Sequence, residues 1–245
     1  VNKGDLMKHF DVIILLGRPA SGKSEIIDFI KRRKTIDRLE NYHIANISEL
    51  DDFPMLWTWF EEDHIRENVL KVERIHSTKD GYFLHNYQWN LLIERFNLEY
   101  DKLLTEKSDF FQENTLLIEF SRGSEHGGYQ TAFKHLSHNI LKKAAIFYVD
   151  VTWEESLRKN RRRFNPDKPH SILEHGLPDD KLERLYKEVD WQDLIADKED
   201  YLIINNVKVP FIVLDNMPEI TDKDEKMQGP LKKHFDKLWS LYTNK

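Results

Sequence analysis

The chain has 245 residues, with 37 Lys and Arg against 43 Asp and Glu, a formal net charge of −6, and no Cys. Without cysteine there is no disulfide framework, thiolate zinc site, iron–sulfur cluster or Cys nucleophile, and a reducing compartment suits it. The acidic balance argues against generic nucleic-acid binding; the apolar runs at 12–16 and 144–149 fall far short of a ~20-residue membrane span, and no signal-peptide pattern opens the chain, so a soluble, cytoplasmic protein is expected.

Taken in order, an apolar strand at 10–16 runs into a Gly-rich turn and a helix over 23–34. The helix closes on Lys31-Arg32-Arg33-Lys34, cations that complement its C-terminal dipole end. A second strand is expected at 42–47, then a long helical and polar region over 54–107. Within it, 86–107 reads as a helix with Leu91, Leu92, Phe96, Leu103 and Leu104 broadly on one side. Strand three at 115–120, a helix at 128–141 and strand four at 144–149 follow. Helices over 153–163 and 179–195 flank a Pro-containing loop. Two runs, 201–204 and 209–214, bracket Asn205-Asn206 as a hairpin whose second strand joins the main sheet, and 231–242 closes the chain as a helix. Strands alternating with amphipathic helices predict an α/β fold around a parallel sheet.

Gly17-Arg18-Pro19-Ala20-Ser21-Gly22-Lys23-Ser24 matches G-x-x-x-x-G-K-[ST] in full, after an apolar strand and opening a helix. Glycines let the backbone wrap a polyphosphate with its N–H groups turned inward. Lys23 is placed to reach the β- and γ-phosphates, Ser24 to ligate Mg²⁺, and the helix N-terminus adds its positive end. ATP and Mg²⁺ are the cofactors such a loop serves.

With this motif the sequence resembles the P-loop kinases of nucleosides, nucleotides and small metabolites. The resemblance implies a three-layer α/β domain over 1–245 with a five-stranded parallel sheet of order 2-3-1-4-5. It also implies a helical acceptor-binding insert over about 54–107 and an Arg-bearing lid over about 158–180. Leu116–Phe120 ends in a carboxylate and is followed by Ser121-Arg122; deoxynucleoside kinases carry Glu-Arg-Ser here, and the order in this chain differs. Glu119 is the candidate for the metal and Arg122 for phosphate or substrate; a solvated strand-end pair is the alternative. After strand two, Asp51 or Asp52 is the candidate to orient the acceptor hydroxyl and take its proton, although an Asp before a helix also suits an N-cap.

Arg158-Lys159-Asn160-Arg161-Arg162-Arg163 stands where the family's lid begins. Guanidinium groups bind phosphate bidentately and neutralise developing charge. Arg158, Arg161 and Arg162 share a helical face and are the expected nucleotide ligands, with a solvated basic helix end as the alternative. The loop over 165–178, with His170 and His175, would close over them. Trp57, Trp59, Phe60, Tyr82, Phe83, Tyr87 and Trp89 fall in the insert, where they serve packing or stack an acceptor ring. His126, His135 and His138 show no convincing zinc pattern.

These residues predict an ATP- and Mg²⁺-dependent phosphotransferase acting on a small acceptor, with a nucleoside or nucleotide favoured by the aromatic insert and a sugar or other metabolite open. A hydrolysing or nucleotide-sensing NTPase, and a polynucleotide kinase or RNA-binding module, stay open as alternatives. Neither nucleic acid nor a membrane is the expected partner, and a homodimer is one open assembly.

Overall fold

The computed structural model describes residues 8–163, 167 and 176–245. Its strands are β1 (Val12–Gly17), β2 (Asn46–Asp51), β3 (Asn114–Phe120), β4 (Ala144–Asp150), β5 (Tyr201–Ile204) and β6 (Val207–Asp215). The helices are α1 (Lys23–Lys31), α2 (Thr35–Tyr42), α3 (Asp52–Ile65), α4 (Tyr87–Glu106) and α5 (Gly128–His135), then α6 (His138–Lys143), α7 (Trp153–Arg163), α8 (Asp179–Tyr186), α9 (Trp191–Ile195) and α10 (Asp224–Thr243).

The strands form one sheet of order β2-β3-β1-β4-β6-β5. Every neighbouring pair is parallel except β5–β6. The sheet is therefore mixed and six-stranded rather than wholly parallel and five-stranded: β6 takes the fifth parallel place and β5 adds an antiparallel edge. Asn205 and Asn206 take positive φ between β5 and β6, the geometry a two-residue hairpin requires.

Alternation along β1 defines the layers. Val12, Ile14 and Leu16 face a core shared with α4, α5, α6 and α9, while Ile13 and Leu15 face one shared with α1, α2 and α10. Strands β1 and β4 are buried over nearly their whole length, which is why both read as unbroken apolar runs.

Four elements differ from the sequence expectation. The second strand is not 42–47 but Asn46–Asp51, because Tyr42 ends α2 and His43 takes a left-handed cap. As an edge strand paired only to β3, β2 is half exposed and needs no apolar run. The helix expected over 128–141 breaks at Leu136, and the Ser137 hydroxyl accepts from Ile140 N to start α6. The helix expected over 179–195 breaks likewise, since Asp190 turns away to accept from Tyr129 N and Gln130 N at the start of α5. Helix α10 starts earlier than expected and carries Pro230 inside it, where Met227, Leu231, Phe235 and Leu238 bury one side.

Among the described residues no helix is long and apolar enough to cross a membrane. Of the lid expected over 158–180, residues 164–166 and 168–175, including His170 and His175, lie outside the described residues.

Candidate active site

Because β1 ends at Gly17 and α1 begins at Lys23, the Gly17–Ser24 loop crosses the C-terminal edge of the sheet. Gly17 and Gly22 have φ of +150° and +114°, and neither has room for a side chain. A Cβ would lie 2.5 Å from Val149 O at Gly17 and 2.7 Å from Thr221 Oγ1 at Gly22. Neighbouring elements hold the loop from outside. Arg18 donates to the carbonyls of Val151 and Lys187 at 3.0 and 3.2 Å, Ser156 to Pro19 O at 2.7 Å, and Asn216 to Ser21 O at 2.8 Å. The Arg18 side chain is thus an anchor, and the loop's backbone is what remains to meet a phosphate.

Lys23 is buried and folds its ammonium back onto Gly17 O (3.1 Å), Arg18 O (3.0 Å) and Ser121 Oγ (2.9 Å), with Glu119 at 3.8 Å. Burial pushes its pKa down, opposed by the charges of Glu119, Asp51 and Asp52. Asp51 and Glu119 are register partners at the ends of β2 and β3. Burial raises both carboxyls, and Asp51, also repelled by Glu119 and Asp52, is pushed up to about 7. Asp51 accepts from Phe53 N at 2.9 Å and so caps α3 while lining the cleft.

The cleft has a volume of about 210 Å³. Its lining includes Gly22, Lys23, Ser24, Asp51, Glu119 and Arg163, and also a cluster in which Phe60 packs on Phe83, Phe83 on Trp89, Trp89 on His126 and His126 on Tyr186. Trp57 and Trp59 are not among its lining residues: Trp57 bonds Glu61 and Trp59 stacks on His76 at 5.3 Å. Tyr87 is exposed.

The two acidic candidates separate. Asp52 lines the cleft but is also paired with Arg122, which is buried and gives its other bonds to Ser121 O (2.7 Å) and Trp89 O (3.1 Å). Burial raises the Asp52 carboxyl and the guanidinium pulls it back. Arg122 is not among the lining residues, so its place here is behind the wall, joining β3, α3 and α4.

The arginine cluster turns differently from the expected face. Arg158 and Arg162 bond Glu219, and Arg161 bonds Asp179. The residues of α7 facing the loop are Ser156, Asn160 and Arg163. Arg163, which the helical-face reading set aside, lies close enough to act electrostatically on both Lys23 and Glu119. The sequence did carry a signal for this face: Ser156 and Asn160 are the short uncharged residues of a highly charged helix, and 156, 160 and 163 follow helical spacing.

Glu219 is the hub of this corner. Burial pushes its carboxyl up, but the hydrogen bonds and charges of Lys159 and Arg162 outweigh that and hold it at about 2. Lys159, itself buried, also donates to Thr221, whose hydroxyl is bonded by Asn216 beside the loop. A folded pKa below the ordinary 4.5 stabilises above about pH 5 and is lost as pH falls toward 2. Glu219→Gln is expected to cost roughly 2 kcal/mol at pH 7, because it leaves Lys159 without its carboxylate. The expected loss should shrink as the pH is lowered from 5 to 3; urea unfolding of both proteins at three pH values checks this.

The site fits Mg²⁺ and a nucleoside triphosphate. The cradle leaves no space for a Cβ at Gly17 or Gly22, Ser21 Oγ is buried without a partner, and the exposed Ser24 opens α1. Among the described residues no cluster of three or more His or carboxylates could hold a metal. Mg²⁺ needs none, since it binds through one or two protein oxygens together with phosphate and water.

No protein-family model matches the sequence, and no curated protein matches it. Solved structures that resemble the chain include a sugar kinase from Janibacter sp., at 11% identity over 95% of this chain and 98% of that one, with a TM-score of 0.39. Another is the shikimate kinase of Acinetobacter baumannii in complex with shikimate, at 13% identity over 97% and 96%, with a TM-score of 0.39. Likeness at that level says nothing of what this chain acts on. The chain itself has a β2-β3-β1-β4 parallel core with the Gly17–Ser24 loop between β1 and α1, the arrangement that the resemblance to P-loop kinases implied.

Proposed function

We propose that the chain is an ATP- and Mg²⁺-dependent phosphotransferase that moves the γ-phosphate to the hydroxyl of a small acceptor. The observation that supports this reading is that one cleft is lined both by Lys23, Ser24, Asp51 and Glu119 and by the mutually packed rings of Phe60, Phe83, Trp89, His126 and Tyr186. A hydrolase needs only the first of these.

In this reading the loop backbone and the N-terminus of α1 hold the phosphates, and Lys23 leaves its carbonyl partners to bridge the β- and γ-oxygens. Ser24 and Glu119 would hold Mg²⁺, which supplies charge neutralisation at the transferring group. Arg163 adds a second cation from α7. Asp51, which lines the cleft beside Glu119 and, among the described residues, has no guanidinium partner of the kind Asp52 has, orients the acceptor hydroxyl and receives its proton. Asp52, tied to Arg122, positions the start of α3 instead. Engagement of Arg158, Arg161 and Arg162 by carboxylates leaves these three without the open basic track that an RNA-binding reading requires.

The test is ADP release with and without an acceptor panel of nucleosides, nucleotides and sugars. Release is expected to rise at least tenfold with one acceptor class, and Asp51→Asn is expected to remove most of that rise while leaving MgATP affinity within about threefold. Phosphate release that ignores every acceptor would favour hydrolysis.

A further inference from the structure

Helix α7 is placed against the Gly17–Ser24 loop by hydrogen bonds rather than by apolar packing. Its buried residues, Ser156, Lys159 and Asn160, are all polar. Its partly buried Trp153 and Leu157 pack against Leu182, Leu185 and Tyr186 of α8. Two fastenings join it to the loop. Ser156 donates directly to Pro19 O at 2.7 Å. One turn on, the Lys159 ammonium donates to Thr221 Oγ1 at 3.1 Å and pairs with Glu219 at 3.0 Å. The same Thr221 oxygen accepts from the Asn216 side-chain amide, which also donates to Ser21 O at 2.8 Å. Asn216 is fully buried, and it is fixed in turn by its N–H on Asp150 O and by Ile220 N on its side-chain oxygen.

This joint sets two things at once. In a trans peptide the C=O and N–H lie in one plane and point to opposite sides. Holding Pro19 O on Ser156 and Ser21 O on Asn216 therefore turns the N–H groups of Ala20 and Gly22 the other way. The Lys159 bonds fix α7 to the same segment, and the next turn of α7 carries Arg163 to the cleft. Among the cations of 158–163, Lys159 is the buried one, and it is not among the residues lining the cleft. Burying an ammonium is costly unless it is paired. Here the pairing serves a helix that has no buried apolar residue to hold it in place.

We propose that Lys159 is a positioning residue: through Thr221 and Glu219 it locks α7 to the segment behind the loop, so that Arg163 and the loop amides keep one fixed geometry for the triphosphate. Lys159 touches no phosphate and acts through Arg163. This rests on the nucleotide site proposed above and assigns a residue that the basic cluster's charge would have placed on the ligand.

The experiment is calorimetric titration of MgATP and MgADP into the wild type and its variants. Arg163→Ala is expected to weaken MgATP about tenfold or more, by loss of a charge-assisted partner of the γ-phosphate, and MgADP less than about twofold. Lys159→Met should show the same split, since Ser156 and Asn216 still hold the loop and Glu219 keeps Arg158 and Arg162. Added to Arg163→Ala, Lys159→Met should cost less than about twofold more, because residues that act through one another are not additive. Lys159→Arg, which keeps a cation on Glu219, should recover part of the loss. Glu219→Gln adds positive charge while loosening the joint, and should also weaken MgATP. Retained MgADP binding reports that each variant is folded. The proposal is overturned if Lys159→Met keeps the wild-type preference for MgATP over MgADP, weakens both alike, or adds in full to Arg163→Ala. Tighter MgATP binding by Glu219→Gln would show a cation acting by its charge alone and would overturn it too. A wild type that binds no MgATP would instead remove the nucleotide-site reading, and Arg163→Ala binding MgATP like the wild type would remove that arginine's assignment; the inference falls with either.

Discussion

Replacing Lys23 by alanine is expected to lower MgATP affinity about 100-fold or more and to remove acceptor phosphorylation. The ammonium is buried at the mouth of the loop, parked on two main-chain carbonyls and the Ser121 hydroxyl rather than in a direct hydrogen bond with a carboxylate. Moving from these neutral acceptors to phosphate oxygens exchanges ordinary hydrogen bonds for charge-assisted ones in a site shielded from water. A single preorganised donor of this kind is worth roughly 10²–10³ in rate. Stability should change less than activity, because the hydrogen bonds of the ammonium go to neutral acceptors and Glu119 lies 3.8 Å away. Calorimetric titration of MgATP into both proteins checks the first part and thermal unfolding the second. Undiminished ATP binding by the variant would show that the loop is not the nucleotide site.

Arg122→Met is expected to be the most damaging change away from the loop. Its guanidinium is buried, pairs with Asp52, and bonds two main-chain carbonyls, including that of Trp89 in the cleft wall. Removing one member of a buried ion pair typically costs about 3–5 kcal/mol, since the other is left uncompensated. For a chain of this size that corresponds to a fall in Tm of about 6–20 °C. Asp52→Asn in the same background should return much of the loss, because the stranded charge is gone. A surface role for Arg122 would instead leave Tm within a degree or two of the wild type.

The contrast between Lys23 and Arg122 shows what the sequence could and could not convey. The loop was legible because its chemistry and its backbone constraints fall on the same eight consecutive residues. Glu119 was legible because a carboxylate closing an apolar strand has few structural reasons to be there. The difference between Asp51 and Asp52 was not, since only the fold shows that Asp52 pairs with Arg122 while Asp51 caps α3. Arg122 looked like a ligand because it follows the candidate Glu119 closely; only the packing of α3 and α4 turns it inward. For the α7 cluster, counting positive charge pointed to Arg158, Arg161 and Arg162, whereas the short side chains of Ser156 and Asn160 marked the face that packs on the loop. The ring cluster of the cleft carried the weakest signal of all: it is assembled from residues 60, 82, 83, 89, 126 and 186, separations that periodicity cannot join. The hairpin at Asn205-Asn206 lies at the other extreme, because turn chemistry is local.

The central claim is that phosphate moves from ATP to an alcohol rather than to water. Phosphorus NMR of one sample holding the protein, MgATP and a mixture of nucleosides tests it most directly. Signals of ADP and a new phosphomonoester should grow together, at equal rates, and should both be absent with Lys23→Ala. ADP growing in step with inorganic phosphate, with no phosphomonoester formed from any acceptor offered, would contradict the claim.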